Sequence, residues 1–418
     1  MQEKPIAIVL GGTVPHFHLI RALQKRGFYV ILIDYHENPP ASLAADTHIQ
    51  ESTMDREAVL NVAKETSASL VISGCVDQAN VTACYVAEEL SLPAPYSYQT
   101  ALRVTDKALM KEGLVNGGVP TALHEVVTLE DISRYSCGSF PKVVKPCDCN
   151  GSKGVRKVHS QRELMAALEE GCMLSRSGKA LVENFNEGIE VNGYYFIART
   201  DISELYIKRK SLPLKTGLEA LQSFISIGPE TISSVARSNL ASAVAKIAIE
   251  FGLENTPLLV QANIDNDDVK VIEFAPRVGG GLAFREIQIM TGFDLISAVI
   301  DSYLHQDVDV ANITKPKDLV SVVHLYASEG KLGRVEGMEK LLKNGVVEEF
   351  HVHKTPGMSL SCDDLASRNR VMGAILRATS VRHLDSKLQQ MVKGLRILSN
   401  DGRDVFNREL FSSSPAIR

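Results

Sequence analysis

A lysine followed by a glycine-punctuated loop lies in the stretch VVKPCDCNGSKGV, residues 143–155. Three kinds of chemistry fit these residue types. Cys147 and Cys149 could supply two of the four ligands of a metal site. Asn150-Gly151-Ser152 matches the N-glycosylation sequon. The loop after Lys145 suits a phosphate group, because glycines let backbone amides approach its oxygens and lysine balances its charge. A flexible hairpin turn is the structural alternative.

The rest of the chain weakens the first two interpretations. A metal site needs further ligands, and the nearest candidate, His159, follows an intervening predicted strand. The first apolar run, PIAIVL, is too short for a signal sequence, so we expect the sequon to stay unmodified. The seven cysteines are odd in number and scattered, which does not predict a disulfide framework. These patterns favour a cytoplasmic protein and a phosphate-binding loop.

Composition narrows the classes of partner. The chain has 418 residues, of which 44% are hydrophobic and 23% charged, and a net charge of −5. Such a chain has no general attraction for nucleic acid or anionic lipid. No apolar run approaches the ~20 residues of a membrane span. We therefore predict no nucleic-acid partner and no membrane insertion, and an anion site would have to be built locally.

A second candidate for chemistry is the predicted hairpin LLVQANID-NDD-VKVIEFAPR. A loop of Asn266-Asp267-Asp268 would place Gln261 directly across from Glu273 on one face. Hard cations such as Mg²⁺ prefer oxygen ligands of this kind, together with nucleotide phosphates. Arg277 follows and precedes three glycines, a combination suited to an anionic group near the metal. An ordinary exposed strand face is the alternative.

Alternating strands and helices must position the first part of such a site. PIAIVLGG, FYVILID and ASLVISG have the composition of buried strands, and helical patterns separate them. The pattern predicts a parallel sheet with covering helices over about the first hundred residues. The turn at Gly11-Gly12, with Asp34 downstream, also suggests a dinucleotide fold, although the third glycine of that motif is missing. An NAD dehydrogenase is therefore disfavoured.

The remaining chain alternates less regularly. We predict a helix after Thr105, two short strands around the glycine loop, and a helix with a capping box from Ser160. ALVENFNEGIEVNGYYFIA predicts strand, turn and strand, and the basic segment IKRKSLPLKTG predicts a loop near an acceptor, or simply a solvated loop. In the tail we predict strands at VVHLYAS and VEEFHVHK, and helices at RNRVMGAILRA and LDSKLQQMVKG. His351 and His353 are expected at the surface.

Together these motifs resemble the ATP-grasp superfamily, most closely its amino-acid ligase and carbamoyl-phosphate-synthetase-like branches. The resemblance runs from Lys107 to about Leu304 and includes TDK, KPCDCNGSKGV, LVENFNEGIE and VIEFAPRVGGG in the family's order. It implies an α/β fold with a Rossmann-like pre-ATP-grasp domain over residues 1–103. An ATP-grasp domain of two α+β subdomains would follow over residues 104–305, and a small α+β lobe over residues 306–418.

The resemblance also implies roles for individual residues. Arg277 and Lys145 would be catalytic, and Gln261 and Glu273 would bind metal. Because the family commonly has a carboxylate where Gln261 stands and asparagine where Ala275 stands, the number of ions, one or two, stays open. The nucleotide would be bound at its phosphates by Lys107, Lys145, Gly151, Ser152, Lys153 and Gly154, at its adenine by Glu183, Asn184 and Phe185, and at its ribose by Glu190.

The implied reaction is an ATP-dependent ligation of a carboxylate to an amine, through an acyl phosphate, with release of ADP and phosphate. The expected cofactors are ATP and Mg²⁺, with Mn²⁺ as a substitute, and the partners are a small acid, a small amine and, as an open option, a second copy of the chain. Two alternatives remain: an ATP-grasp enzyme of nucleotide or one-carbon metabolism that acts on a sugar-phosphate amine or bicarbonate, and a non-catalytic ATP-binding module. Neither substrate is identified by sequence.

Overall fold

The computed structural model describes residues 4–199, 201–211, 224–279, 281–361 and 367–412. The helices in this part of the chain are α1 Val14–Lys25, α2 Arg56–Glu65, α3 Asp77–Leu90, α4 Tyr98–Arg103, α5 Lys107–Asn116, α6 Gln161–Leu174, α7 Ser234–Phe251, α8 Ala283–Thr291, α9 Leu295–Tyr303, α10 Met338–Lys343, α11 Val381–Gly394 and α12 Glu409–Ser412. None of them is long and apolar enough to cross a membrane.

Within the described ranges, the strands fall into four sheets. Their bounds are β1 Ile6–Leu10, β2 Tyr29–Asp34, β3 Thr47–Gln50, β4 Leu70–Ile72, β5 His124–Thr128, β6 Lys142–Pro146, β7 Arg156–Val158, β8 Lys179–Asn184, β9 Ile189–Ile197, β10 Ile202–Ser211, β11 Ile225–Gly228, β12 Thr256–Asp265, β13 Asp268–Ala275, β14 Leu319–Leu325, β15 Gly330–Glu336, β16 Glu349–Val352, β17 Ser359–Leu360, β18 Met372–Ala378 and β19 Arg396–Ser399.

The N-terminal sheet is parallel, in the order β3-β2-β1-β4, as the sequence predicts. Strands β1 and β4 are apolar throughout, β2 is apolar between Tyr29 and Asp34, and most of these residues are buried because helices cover both faces. Helix α1 begins at Val14, and Thr13 before it forms a capping box with His16. Helices α8 and α9 share one hydrophobic core with α1 and β1, which fixes this sheet against the centre of the molecule.

Two antiparallel sheets form the middle of the chain. The first has the order β5-β8-β6-β7, with α6 packed on it and the glycine loop joining β6 to β7, as predicted. The second has the order β13-β12-β9-β10-β11-β14-β18-β16, and α7 covers one face. This larger sheet continues past residue 305, so strands on both sides of the proposed boundary share one sheet. The division at residues 103 and 305 stays a prediction.

The prediction of a helix at RNRVMGAILRA is wrong. The segment forms β18, which pairs with β14 on one side and β16 on the other. Six of its seven residues are buried. A central strand buried on both faces has a nearly continuous apolar run, and periodicity does not distinguish such a run from a buried helix. The neighbouring prediction, LDSKLQQMVKG, is confirmed as part of α11.

The predicted basic loop IKRKSLPLKTG also needs correction. Residues 207–211 belong to β10, whose neighbours are β9 and β11. Lys208 and Lys210 form ion pairs with Glu286 and Glu190, which compensate their positive charge inside the molecule. Local basic composition favours a loop, and the distant carboxylates override it. The rest of the segment, residues 212–217, lies outside the described residues.

The hairpin of β12 and β13 confirms the predicted pairing of Gln261 with Glu273 by a different route. The turn is one residue shorter than predicted, because Asp265 pairs with Asp268. A bulge at Ile272 then adds one residue to β13 and shifts the register back. The bulge therefore decides that the two oxygen-bearing side chains face each other.

A buried ionic triad attaches α5 to the sheet of β6 and β8. The Glu183 carboxylate forms ion pairs with Lys111 Nζ, at 2.6 Å, and with Lys145. The side chains of Lys111 and Glu183 are 2% and 5% exposed. Burial alone would raise the pKa of Glu183, but Lys145 and Lys111 hold it at about 2. The carboxylate therefore stays charged between two ammonium groups.

We predict that Glu183→Gln lowers the free energy of unfolding by about 3–5 kcal/mol, because it leaves two buried lysines without a counter-charge. The folded-state pKa of Glu183 is depressed from 4.5 to about 2. Its contribution should thus be present above pH 4.5 and disappear as the pH falls toward 2. Urea denaturation of both proteins across this range measures the difference. Glu336→Gln, at an exposed ion pair, is the control and should change stability by less than about 0.5 kcal/mol; equal losses in the two variants would contradict the prediction.

Candidate active site

One large cavity, of about 1380 Å³, lies where the N-terminal sheet, the β5–β8 sheet and the eight-stranded sheet meet. The carboxyl ends of β1 and β2 border it, the usual place for a ligand in a parallel α/β sheet. Most of the residues proposed from sequence line it: Lys107, Lys145, Gly151, Ser152, Glu183, Asn184, Phe185, Glu190, Gln261, Glu273 and Arg277. Lys153 and Gly154 are not part of the lining, and Lys153 is exposed.

Lys107 is the first residue of α5, and the carboxylate of Asp106 caps that helix by accepting from two backbone amides. The Lys107 Nζ atom donates to the backbone oxygen of Cys149 at 2.5 Å, and its backbone amide donates to the oxygen of Cys147 at 2.8 Å. Both cysteines thus contribute carbonyl groups to this contact. Burial raises the pKa of the Cys147 thiol to about 12, which disfavours the thiolate that a metal would need.

Gln261 and Glu273 lie side by side in the hairpin and face the cavity. Lys210 donates to the Gln261 side-chain oxygen at 3.0 Å and also pairs with Glu190. Burial favours a raised pKa for Glu273, but Lys107, Lys145 and Lys210 lower it below its ordinary value. The carboxylate is therefore ionised, with an amide oxygen beside it, which is a donor set suited to Mg²⁺.

At another wall of the cavity, Asn184 ends β8 and Phe185 follows it. Lys142 Nζ donates to the Asn184 side-chain oxygen at 2.5 Å. The Phe185 ring lies 4.0 Å from the ammonium of Lys157, a cation–π contact that orients the ring. An apolar ring beside backbone polar groups is a suitable surface for a flat heterocycle.

Arg277 connects the hairpin to the N-terminal sheet. Its guanidinium makes a bidentate ion pair with Asp77, the first residue of α3, and donates to the backbone oxygen of Val278 at 2.7 Å. Burial alone would lower the pKa of Arg277, but Asp77 raises it. Asn150 of the glycine loop donates to the same Asp77 carboxylate at 2.6 Å. One carboxylate therefore contacts both the arginine and the loop.

The glycine loop owes its shape to left-handed backbone conformations. Gly151 and Gly154 have φ angles of +64° and +71°, and Ser152 between them has +62°. Glycine reaches this region without strain, whereas a serine is uncommon there. The loop is also held from the N-terminal side, because Gln78 Nε2 donates to the backbone oxygen of Asp148 at 3.1 Å. The strand ends and α3 together determine where the loop amides lie.

Sequence reasoning missed Lys111 and Asp77. A signal for Lys111 was available, because it stands four residues after Lys107 and therefore on the same face of α5. Asp77 follows β4 at the carboxyl edge of the parallel sheet, a position where ligand-binding groups collect. Its pairing with Arg277, 200 residues away, has no local signal.

The expectation that His351 and His353 are surface residues is wrong. The side chain of His351 is 11% exposed and its Nε2 atom lies 2.8 Å from Glu349. His353 lines the cavity, and burial, with Arg370 and His351 nearby, lowers its pKa to about 3. Both residues come from β16 and the segment after it, which pair with β18 and so turn inward.

Comparison with known proteins agrees with this architecture. Residues 138–286 match the family described as the ATP-grasp domain. A segment of 95 residues is 37% identical to a D-alanine--D-alanine ligase of Chlorobaculum parvum (strain DSM 263 / NCIMB 8327), covering 21% of this chain and 26% of that protein. The chain thus spans about a quarter of the length of this curated relative.

Solved structures resemble almost the whole chain. An L-amino acid ligase from Bacillus licheniformis superposes with a TM-score of 0.77 at 18% identity, covering 96% of this chain and 99% of that one. The biotin carboxylase domain of a Hydrogenobacter thermophilus 2-oxoglutarate carboxylase, solved with MgADP and bicarbonate, gives 0.74 at 16% identity, covering 95% and 91%. At these identities the likeness shows the fold. The family match over residues 138–286 lies within this fold.

Proposed function

We propose that this protein is an ATP-dependent carboxylate–amine ligase, which forms an amide or peptide bond and releases ADP and phosphate. The observation that supports it most is the meeting, in one cavity, of a carboxylate beside an amide oxygen, four cationic side chains and a glycine loop. Gln261 and Glu273 are the oxygen pair, and the cations are Lys107, Lys145, Lys210 and Arg277. These are the groups that aligning two anionic reactants requires.

ATP would lie between the β5–β8 sheet and the hairpin. In this proposal Asn184 and Phe185 meet the adenine, Glu190 the ribose, and Lys107 and Lys145 the phosphates. The amides of the glycine loop would cover the terminal phosphates. This assignment agrees with the resemblance to the ATP-grasp family and with the position of each group on the cavity wall.

Mg²⁺ fits the hairpin, because Glu273 is ionised and the Gln261 oxygen lies beside it. When bound there, Mg²⁺ would neutralise phosphate charge during transfer. In the structure, Lys210 donates to the Gln261 oxygen at 3.0 Å, so this lysine occupies part of the space where a cation would act. Gln261 and Glu273 would hold the ion, and the lysines would contact the phosphate oxygens left outside its coordination sphere.

The proposed ligation has two steps, formation of an acyl phosphate and attack by the amine. A carboxylate oxygen of the acid attacks the γ-phosphorus, the bond from that phosphorus to the bridging oxygen breaks, and ADP leaves with the bond's electrons. The amine nitrogen then attacks the acyl carbon, a C–N bond forms, the C–O bond to phosphate breaks, and one proton is released. Arg277, Lys107 and Lys145 offset the charge that accumulates on the transferring group.

An ADP-release screen over pairs of acids and amines, with mass spectrometry of the products, tests this proposal. We expect ADP, phosphate and a product equal in mass to acid plus amine minus water. ADP release with bicarbonate in place of an organic acid would instead favour a carboxylating ATP-grasp enzyme. Release of AMP and pyrophosphate would contradict the acyl-phosphate route, and absence of any ADP across the screen would favour a non-catalytic ATP-binding module.

We predict that Glu273→Gln lowers the rate of ADP formation by at least about 10²-fold, because one ionised metal ligand is lost. The same loss is expected for Lys145→Ala, which removes a phosphate contact. Asp268→Asn on the same strand is the control, since Asp268 is exposed and pairs with Lys270. Unchanged turnover in both Glu273→Gln and Lys145→Ala would refute the site assignment. Circular dichroism checks that each variant is folded.

We predict a positioning role for Asp77. Asp77→Asn removes the charge that orients Arg277 and should lower kcat by about 10- to 100-fold with a smaller effect on the KM for ATP, because a displaced guanidinium affects the transfer step. Asp77→Glu should restore part of kcat. Glu89→Gln, on the exposed side of the same helix, is the matched control. A purely structural role would instead lower thermal stability and leave kcat of the folded protein unchanged.

A further inference from the structure

The cavity has a second basic region at its C-terminal side, formed by His324, His353, Lys354 and Arg370. We call it the C-terminal basic cluster. All four side chains line the cavity, and the rings of His324 and His353 lie 5.9 Å apart between centroids. Together they bring two cations and two imidazoles to one part of the cavity wall.

Two members of the cluster, His324 and Arg370, lie beside Gly281, which follows Arg277 in the chain. A methyl group built on Gly281 would lie 3.5 Å from Nε2 of His324 and 3.8 Å from a terminal nitrogen of Arg370. Both nitrogen atoms therefore approach one point beside the turn. Glycine leaves that point free for a ligand, and a longer side chain would fill it.

The charges of the cluster are not balanced by the described part of the chain. Arg370 donates to the hydroxyl of Tyr326 at 3.3 Å, and Lys354 donates to the backbone oxygen of Ser359 at 2.8 Å. No carboxylate of the described residues forms an ion pair with either of them. The imidazoles offer no counter-charge, because burial together with Arg370 lowers the pKa of both and keeps them neutral.

The nucleotide side of the cavity shows the contrast. There, Lys107 lies 3.9 Å from Glu273, and Lys145, Lys210 and Arg277 pair with Glu183, Glu190 and Asp77. Lys208, which lies between the two regions, pairs with the buried Glu286. Buried charges are stable when they are paired, so an unpaired cation in a cavity wall is a site for an external anion.

Building on the proposed function, we propose that the C-terminal basic cluster binds a second anionic group, a carboxylate or a phosphate, on one of the two small substrates. Arg370 would make the charge-assisted contact and the imidazoles would donate hydrogen bonds. The protein would then prefer a substrate with an anion besides the carboxylate that reacts. Glu286 neutralises Lys208, which leaves Arg370 and Lys354 as the cations of this region. Arg370 lies beside His324 at Gly281, so we assign the preference to Arg370.

Binding measured by calorimetry, with the full chain and a non-hydrolysable ATP analogue with Mg²⁺, tests the proposal directly. The probes are two matched pairs, L-glutamate with L-glutamine and O-phospho-L-serine with L-serine. We expect at least one anionic member to bind about 10- to 100-fold more tightly than its neutral partner, the range for hydrogen bonds to a charged group. The pair that shows the preference distinguishes a carboxylate from a phosphate.

Arg370→Gln should remove this preference and leave the affinity for the neutral probes unchanged, and Arg370→Lys should keep part of it. Arg377→Gln is the matched control, because Arg377 lies on β18, outside the cavity, and pairs with Asp318. Equal affinity of the wild type for both members of each pair, or a preference that Arg370→Gln leaves intact, would overturn the proposal. Thermal denaturation of Arg370→Gln and Arg370→Lys verifies that a loss of binding is not a loss of folding.

The same probes in the ADP-release assay separate this proposal from the proposed ligase activity. Faster ADP release with the neutral probes would support the ligase activity and contradict the proposed anion site. Anion binding that depends on Arg370, without ADP release from any acid and amine pair, would support the anion site and contradict the ligase.

Discussion

The candidate site depends on holding several lysines close together and largely out of water. The proposed nucleotide side of the cavity holds four ammonium groups, those of Lys107, Lys111, Lys145 and Lys210. They would repel one another and resist burial if no carboxylate lay nearby. Glu183, Glu190 and Glu273 lie among them and compensate this charge. The Lys111–Glu183–Lys145 triad is the most buried part of the arrangement, and it also attaches α5 to the neighbouring sheet. The packing of α5 and the charge of the site are therefore coupled.

The proposed phosphate contacts come from separate elements. Lys107 starts a helix, Lys145 lies near the end of a strand, and Lys210 belongs to a strand of the other sheet. Each is oriented by its own backbone environment and by an acidic partner on another element. Such pre-set groups need little rearrangement when charge builds up during a transfer reaction. Arg277 follows the same rule, with Asp77 of helix α3 as its partner.

The two ends of the cavity differ in how their positive charge is compensated. At the nucleotide side, carboxylates of the protein pair with each cation, and a bound phosphate would compete with them or share them. At the C-terminal basic cluster, the described residues supply hydroxyl and carbonyl acceptors and neutral imidazoles. In one region of the cavity, the protein's own carboxylates thus compensate the positive charge before a ligand binds. In the other region, an anionic ligand would compensate it.

Much of the site could be predicted from sequence because its signals are local. The strand and helix patterns predict the parallel sheet, the loop between β6 and β7, and the helix that Lys107 begins. Residue types within short windows also indicate the phosphate loop and the oxygen pair of the hairpin. The segment RNRVMGAILRA shows the limit of such signals, since a strand buried on both faces and a buried helix have the same apolar run.

By itself, the sequence determined the α/β class, the alternation of strands and helices in the N-terminal sheet and the residue types available for binding a phosphate and a metal. The tertiary structure decided which side chains from distant segments contact each other. It placed Asp77 against Arg277 and Glu183 between two lysines, and a bulge at Ile272 brought Gln261 level with Glu273. It also turned His353 inward beside Arg370. These contacts form between segments that are far apart in the sequence, and their strength depends on burial in the folded protein. Local sequence patterns therefore do not predict them.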